Sequence, residues 1–224
     1  MTSPGGIAPK VVRGGIITFD PDNGTPVQVI PFQYNPDTLT RTLQPQTVAD
    51  EPGDRLEATR LKGPPHETVK LDAEFDASDQ LADPDNNSAV AQFGLHPILA
   101  QLELLVYPKL AELVNENAMA GIGMIEIAQS VAPVTVLVLG RNRTMPVRLT
   151  EFSVTEDGFD TELNPIRAKV SLTARVLNFD DVGFDQTAGR IYKYYQTQKE
   201  SLSAQIPAIT AVGAVGLTEL PERV

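Results

Sequence analysis

The stretch Ala168-Lys-Val-Ser-Leu-Thr-Ala-Arg-Val176 decides the fold class, because apolar and polar residues alternate over its whole length. Successive side chains of a β-strand point to opposite faces, so this pattern predicts a strand with one buried face. Val69-Lys-Leu-Asp-Ala-Glu-Phe75 alternates in the same way. The two segments predict a mainly β protein of the α+β type. Because 168–176 exceeds the usual strand length, we expect it to be an edge strand that can pair with a neighbouring subunit.

Working outward from these two segments, the sequence predicts further strands and turns. The turn-forming run Asp20-Pro-Asp-Asn-Gly24 predicts a hairpin between two early strands, and Glu156-Asp-Gly158 predicts a turn late in the chain. In 27–34 and 147–154 the apolar positions change phase, which indicates bulges that bend a sheet towards a barrel. The predicted strands are 16–20, 27–34, 134–139 and 147–154.

Helical spacing of apolar residues predicts the main helix over 95–106, with Leu110 and Leu113 continuing into a short second helix, and another helix over 186–202. The expected organisation is a β domain preceded by a flexible terminus and followed by a helix and a docking tail. Its boundaries are 1–13 for the terminus, 14–180 for the domain, 45–65 for an exposed acidic arm, 94–117 for a helical insertion, and 181–224 for the helix and tail.

The composition excludes several classes of protein. Among 224 residues, 29 Asp and Glu outnumber 18 Lys and Arg, and the net charge of −11 disfavours binding to nucleic acid. The absence of cysteine excludes disulfides and thiolate metal sites. No apolar run reaches the roughly 20 residues of a membrane span, and residues 1–10 lack the apolar core of a secretory signal. We therefore expect a chain assembled in the cytoplasm.

Residues that could bind a metal or cofactor are few and scattered. His66 and His96 are the only two histidines, so one chain cannot build a multi-histidine site. The residues Asp83, Asp85 and Asn87 copy the first ligands of a calcium loop, but Ser88 and Gly94 occupy the positions of its glycine and bidentate glutamate. The sequence also lacks a nucleophile elbow and a phosphate loop, and 121–126 lacks the third glycine of a dinucleotide fingerprint. We expect no cofactor, no metal and no catalysis.

Three alternatives remain open from the residues. Asp72, Glu74 and Asp76 alternate on one face of a predicted strand, so a carbohydrate hydrolase is a remote alternative to a solvated strand surface. A soluble binding domain that stays monomeric is another. Arg141 and Arg143 form a basic tip that either contacts an acidic surface of another copy or is an ordinary polar turn.

Three segments carry a resemblance to a known family. They are Phe32-Gln-Tyr-Asn-Pro36, the predicted strand 69–75, and Asn164-Pro-Ile-Arg-Ala-Lys-Val-Ser-Leu-Thr-Ala174. In this order, over about residues 14 to 180, the chain resembles the tube-related baseplate proteins of contractile injection systems.

The resemblance implies a tube-type β-barrel or sandwich and a sixfold ring. The ring would join a spike hub to the inner tube of a phage-tail-like particle and nucleate tube assembly, with baseplate wedge or sheath as further partners. The resemblance leaves open whether the particle is released from its producer. Together with the basic tip, the residues assigned to assembly are Phe32, Tyr34, Asn35, Pro36, Arg141, Arg143, Asn164, Pro165 and Arg167.

Two points separate this chain from parts of that family. Many adaptor members carry a LysM module, whereas the 44 residues after Asp180 show no such pattern, so we expect 186–224 to make its own contact with wedge, sheath or a neighbouring subunit. The inner tube protein is the nearest alternative. The acidic arm, the helix and the tail favour an adaptor with several partners, because a tube subunit needs only a compact barrel.

Overall fold

A computed structural model of the protein describes residues 12–47, 60–121 and 132–206. Seven strands form one antiparallel sheet in the order β2-β1-β5-β6-β7-β4-β3, which confirms the predicted mainly β fold. The strands are β1 Gly15–Phe19, β2 Pro26–Pro31, β3 Leu39–Thr47, β4 Leu61–Asp76, β5 Val134–Val138, β6 Thr144–Phe159 and β7 Pro165–Val176.

The two alternating segments pair with each other at the centre of the sheet's long half. Leu71 of β4 lies opposite Leu172 of β7, and Val69 lies opposite Ala174. All four side chains are buried, while the residues between them face outward or are half-buried. The period-two pattern therefore defines an inward and an outward face, and the inward face forms the hydrophobic core.

The expectation that 168–176 forms an edge strand is wrong. β7 lies between β6 and β4 and is hydrogen-bonded on both sides. Its length reflects two long neighbours of 16 residues each, which satisfy its backbone groups within the chain. The terminal strands of the sheet are instead β2 and β3.

The sheet curls so that strands far apart in its order approach each other. Ile16 of β1 and Val69 of β4 line one small internal cavity, although four strand spacings separate them, which would be about 19 Å in a flat sheet. Beyond the end of β2, the side-chain amide of Gln33 donates to the carbonyl oxygen of Asp76 at 2.6 Å and accepts from its N–H at 2.9 Å. These two hydrogen bonds join the two halves of the curled sheet.

The phase changes in the sequence coincide with irregular pairing. In β6 the register with β7 shifts between Leu149 and Glu151, as the pattern in 147–154 predicts. In the early hairpin the shift falls between Thr18 and Phe19, and along β2 only Ile30 is buried. Such bulges increase local twist and bending, which accounts for the curl of the sheet.

The predicted arm 45–65 is corrected at both of its ends. Residues 45–47 belong to β3 and residues 61–65 to β4, where Gln46 pairs with Gly63 and Thr47 pairs with Leu61. Prolines 45, 64 and 65 are tolerated because this hairpin extends along the edge of the sheet, where unpaired N–H positions are available. The middle of the arm, 48–59, lies outside the described residues, as do 1–11 of the predicted flexible terminus.

The predicted turn at Glu156-Asp-Gly158 is also wrong. These residues continue β6, with Glu156 opposite Ala168, and Gly158 takes its positive φ of 68° inside the strand. The turn comes later, where Asp160 Oδ1 accepts the N–H groups of Glu162 and Asn164. The carboxylate supplies the acceptor for the turn that the glycine alone did not provide.

Helices cover parts of the sheet. The helices in the described ranges are α1 Ser78–Leu81, α2 Ser88–Phe93, α3 His96–Glu103, α4 Leu110–Gly121 and α5 Thr187–Ser203. The predicted main helix is shorter than 95–106, since residues 104–106 form a turn, and α3 buries Leu99 and Leu102 in the core. The predicted C-terminal helix is confirmed as α5, whose Tyr192 and Tyr195 join the same core. No helix within the described ranges is long and apolar enough to cross a membrane.

Candidate assembly site

The early motif 32–36 is mostly an internal clamp. Phe32 is fully buried in the core, so its side chain offers no surface to a partner. The Asn35 carboxamide oxygen accepts the Gly14 N–H at 2.8 Å, and its amide donates to the Val12 carbonyl at 3.0 Å, so it fixes the chain before β1. Pro36 is half-buried, whereas Tyr34 is 48% exposed and remains available for contact.

The late motif 164–167 holds the β6–β7 turn against the helices. The Asn164 amide donates to Asp160 Oδ2 at 2.8 Å, and the buried Pro165 accepts the N–H of Leu95 at 2.9 Å. Gly94 allows this approach, because a Cβ there would lie 2.6 Å from the Pro165 carbonyl oxygen, and its φ is 55°. Arg167 is exposed on the outward face of β7.

The structure brings the early and late motifs together at the end of β4. Gln33 holds the backbone of Asp76, which lies opposite Arg167 in the sheet. The next residue, Ala77, donates its N–H to the Ile166 carbonyl at 2.8 Å. The two motifs that carry the family resemblance therefore pack against each other within one chain.

The basic tip does not belong to that junction. Arg141 and Arg143 lie in the turn between β5 and β6, and both are exposed. The carbonyl oxygen of Arg141 accepts the hydroxyl of Tyr194 from α5 at 3.5 Å. The tip therefore contacts the C-terminal helix, and its charged side chains remain at the surface.

A buried ionic cluster that the sequence did not predict ties α5 to the sheet. Glu67 of β4 has only 4% of its side chain exposed and accepts from Arg41 Nε of β3 at 2.7 Å. The Tyr195 hydroxyl donates to the same carboxylate oxygen at 2.9 Å and accepts from Arg41 Nη2 at 2.9 Å. Lys199 Nζ lies 3.2 Å from the other oxygen and 3.9 Å from the Tyr195 ring centroid. The carboxylate of Glu67 is thus contacted by side chains from two strands and one helix.

The protonation states of this cluster follow from its contacts. Burial alone would raise the pKa of Glu67, but the charge of Lys199 and hydrogen bonds from Arg41 and Tyr195 outweigh burial and lower that pKa below its ordinary value. Burial, reinforced by the Glu67 charge, raises the pKa of Tyr195. At neutral pH the cluster therefore holds a carboxylate and an intact phenol.

The signal for this cluster was present in the sequence. Extending the alternation of 69–75 back by one step places Glu67 on the inward face, and Arg41 lies opposite Val69 on that same face. Tyr195 and Lys199 are four residues apart and so share one side of α5. The pattern could not predict that α5 lies close to Glu67, because Tyr195 follows Glu67 by 128 positions in the chain.

The carboxylates of the hydrolase alternative occupy the outward face of β4. Hydrogen bonds from Lys169 and Ser171 lower the pKa of Asp72, and hydrogen bonds at Ser78 lower the pKa of Asp76. Glu74 is exposed on the same face. A glycosidase needs one carboxyl whose pKa is raised so that it can donate a proton, and the two lowered pKa values are opposite to that requirement.

The remaining candidates for metal binding lie in three separate places. His66 Nδ1 lies 3.3 Å from Arg175 Nη2, and His96 is exposed at the start of α3. The Asn86 amide donates to Asp83 in the turn between α1 and α2, where the calcium-like residues lie. In the ranges that the structure covers, no three His, Asp or Glu side chains are grouped so as to hold a metal ion.

Apolar side chains are exposed at both terminal strands of the sheet. Val27 and Val29 of β2 are 62% and 60% exposed, and Leu43 of β3 is 45% exposed. Among the residues that the structure describes, each of these strands has a hydrogen-bonded neighbour on one side only. Comparison with models of known protein families and with curated proteins gave no match. The assignment of function therefore rests on the geometry of this surface and on the sequence.

Proposed function

We propose that this protein is a structural baseplate component of a contractile injection system, forming a ring that connects the spike hub to the inner tube and nucleates tube assembly. The observation that carries the proposal is the edge strand β2, which presents Val27 and Val29 to solvent and has no second partner strand within residues 12–47, 60–121 and 132–206. β2 is a six-residue strand with a proline at each end. An edge that exposes apolar side chains is normally covered or paired, so one that remains open favours an assembly protein.

The ring follows from the two different ends of the sheet. In the proposed ring, β2 of one copy pairs with β3 of the next, and such a head-to-tail contact closes into a ring when the rotation is right. Exposed Leu43 on β3 would meet the valines of β2. The curled sheet, with its seam at Gln33 and Asp76, is compatible with a tube-type barrel as the repeating unit.

Partners other than copies of this chain would use the surface around the ring. Tyr34, Arg167 and the basic tip of Arg141 and Arg143 are exposed and are the candidates for contact with spike, tube, wedge or sheath. The helices α1 to α4 add surface beyond a minimal barrel, which favours the adaptor over the inner tube protein.

Cryo-electron microscopy of contractile particles from the native producer tests the proposal. A single ring of this chain between spike and tube is the expected result. Many stacked copies along the axis would identify it as the inner tube protein, and its absence from the particle would refute both assignments.

A matched pair of variants tests the edge strand directly. Val29→Asp places a charge in the proposed interface, and Leu163→Asp places one at the β6–β7 turn, where the leucine is 75% exposed. Mass measurement of the assembled species should show rings for the unmodified chain and for Leu163→Asp, and monomers for Val29→Asp. Equal assembly of all three would remove β2 from the interface.

A further inference from the structure

An apolar groove lies on the side of the molecule between the β1–β2 hairpin, the α3–α4 connection and the start of β5. Its volume is about 890 Å³. Val27, Leu104 and Tyr107 line it and are each more than 60% exposed, and Val106 and Pro133 add further apolar surface. Monomeric proteins seldom leave a continuous apolar surface of this kind uncovered, so an occupant is expected.

The groove also reaches the beginning of the C-terminal helix. Thr187 and Ala188 of α5 contribute to its lining, and Arg148 of β6 adds a positive charge. From Ala188 to the end of α5 at Ser203, the helix runs for about 22 Å at 1.5 Å per residue. The chain therefore leaves α5 about that distance from the groove.

The last residues of the sequence have the length and the composition to return to the groove. Residues 207–224 number 18, and an extended chain of that length spans up to about 60 Å. About seven residues would cover the return along α5, which leaves about eleven for the groove. No charged residue occurs between 207 and 218, and the first charges are the acids Glu219 and Glu222. The apolar residues therefore match the groove wall. With Arg223 the segment carries two acids and one base, and the wall carries Lys109 and Arg148 against Asp22, so the two net charges are opposite.

We propose that the groove is the binding site for the C-terminal segment 207–224 of the same chain. The segment covers Leu104 and Tyr107, which otherwise face water. This inference does not depend on the ring, because it concerns a contact within one chain. It differs from the expectation that the tail contacts wedge, sheath or a neighbouring subunit.

Cysteine cross-linking tests the proposal, since the natural chain has no cysteine. The double variant Tyr107→Cys with Leu217→Cys places one thiol in the groove and one in the segment. The control pairs Leu217→Cys with Leu163→Cys, because Leu163 is 75% exposed, against 66% for Tyr107, and does not line the groove. A disulfide requires Cα atoms within about 7 Å, so a mild oxidant links only groups that meet.

The expected result is an intramolecular disulfide in the groove pair that forms about tenfold faster or more than in the control, because the two thiols are held at high effective concentration. A non-reducing gel separates this product from a covalent dimer. Equal rates in both pairs would overturn the proposal. So would a disulfide that forms only between two chains, since the groove would then receive the tail of another copy.

A second measurement needs no disulfide and guards against a folding defect. The thiol introduced by Tyr107→Cys alone should react several-fold more slowly with a soluble maleimide in the full chain than in a chain that ends at Ile206. The thiol introduced by Leu163→Cys should react equally in both. Unchanged reactivity of the groove thiol after truncation would contradict the proposal.

Discussion

The two longest helices in the described ranges, α4 and α5, differ in the burial of their apolar side chains. In α5, Tyr192 and Tyr195 are buried in the core. In α4, Leu110 and Val114 are 74% and 60% exposed. In addition, α5 supplies Lys199 and the Tyr195 phenol to the buried charge of Glu67. Helical spacing thus predicts a helix, and whether its apolar side chains are buried depends on the partners that the fold brings to it.

The largest effect is expected from removing the aromatic ring that anchors α5. Tyr195→Ala deletes a side chain that is 2% exposed, and it should lower the free energy of unfolding by about 3–5 kcal/mol. Tyr194→Ala is the matched control, because Tyr194 is 42% exposed. Its loss should lower the free energy of unfolding by less than about 1 kcal/mol. Urea denaturation measures both. Equal losses would show that α5 is not anchored through Tyr195.

A smaller effect is expected from neutralising the carboxylate beneath the helix. Glu67→Gln keeps the shape but removes the charge that Arg41 and Lys199 share, and it should cost about 1.5–3 kcal/mol at neutral pH. Glu74→Gln, on the exposed face of the same strand, should change stability by less than about 0.5 kcal/mol. If the two substitutions cost the same, the buried cluster does not hold the helix.

The same pair of proteins gives a pH dependence of known sign. The pKa of Glu67 is lowered in the folded state from an ordinary value of 4.5, so its stabilisation is fully present above pH 4.5. It is lost as the pH falls through the folded-state pKa. The stability difference between the unmodified chain and Glu67→Gln should therefore shrink below pH 4.5. A difference that grows on acidification would contradict this sign.

Removing the hydrogen bonds between Gln33 and Asp76, which join the two halves of the curled sheet, should lower stability by an intermediate to small amount. Gln33→Ala removes two hydrogen bonds to the backbone of Asp76 and should cost about 1–2 kcal/mol. Gln28→Ala on β2 removes a half-buried amide without such bonds and serves as the control. Hydrogen exchange at the Asp76 amide should accelerate in Gln33→Ala only. Unchanged exchange would mean that the backbone holds the seam unaided.

The smallest effect should come from α4, and this result would sharpen the contrast with α5. Leu110→Gln changes a side chain that is 74% exposed, so the free energy of unfolding should move by less than about 0.5 kcal/mol. Leu99→Ala on the neighbouring α3 removes a buried leucine and should cost about 2–5 kcal/mol. A loss near the Leu99 value in Leu110→Gln would reveal that Leu110 is packed after all.

The sequence predicted the strands well because burial on one face imposes a two-residue period. It placed 69–75 and 168–176 in strands, and even the phase change near Leu149 corresponds to a bulge. It could not tell an edge strand from a central one, since the alternation of β7 is the same in either position. Position in the sheet depends on partners that lie far away in the chain.

The candidate site was predictable only in part for the same reason. The residues of the two motifs were identified, but most of them pack within the chain, as Phe32 and Pro165 do. The link between the motifs passes through Gln33 and Asp76, whose meeting is a consequence of curvature. Local patterns do not specify curvature, which is set by bulges and by the packing of both sheet faces.

The order of strands in the sheet also constrains folding during synthesis. Leu71 of β4 pairs with Leu172 of β7, which is synthesised one hundred and one positions later. In the same way, β1 cannot pair with β5 until β5 has been synthesised. At about 5–20 residues per second, a ribosome needs on the order of 5–20 s to deliver β7 after β4 has emerged. During that interval β4 has no second neighbour, and an incomplete chain cannot reach the native sheet. Expression with slowed synthesis over residues 77–164 should therefore increase aggregation, whereas slowing after Ser203 should leave it unchanged.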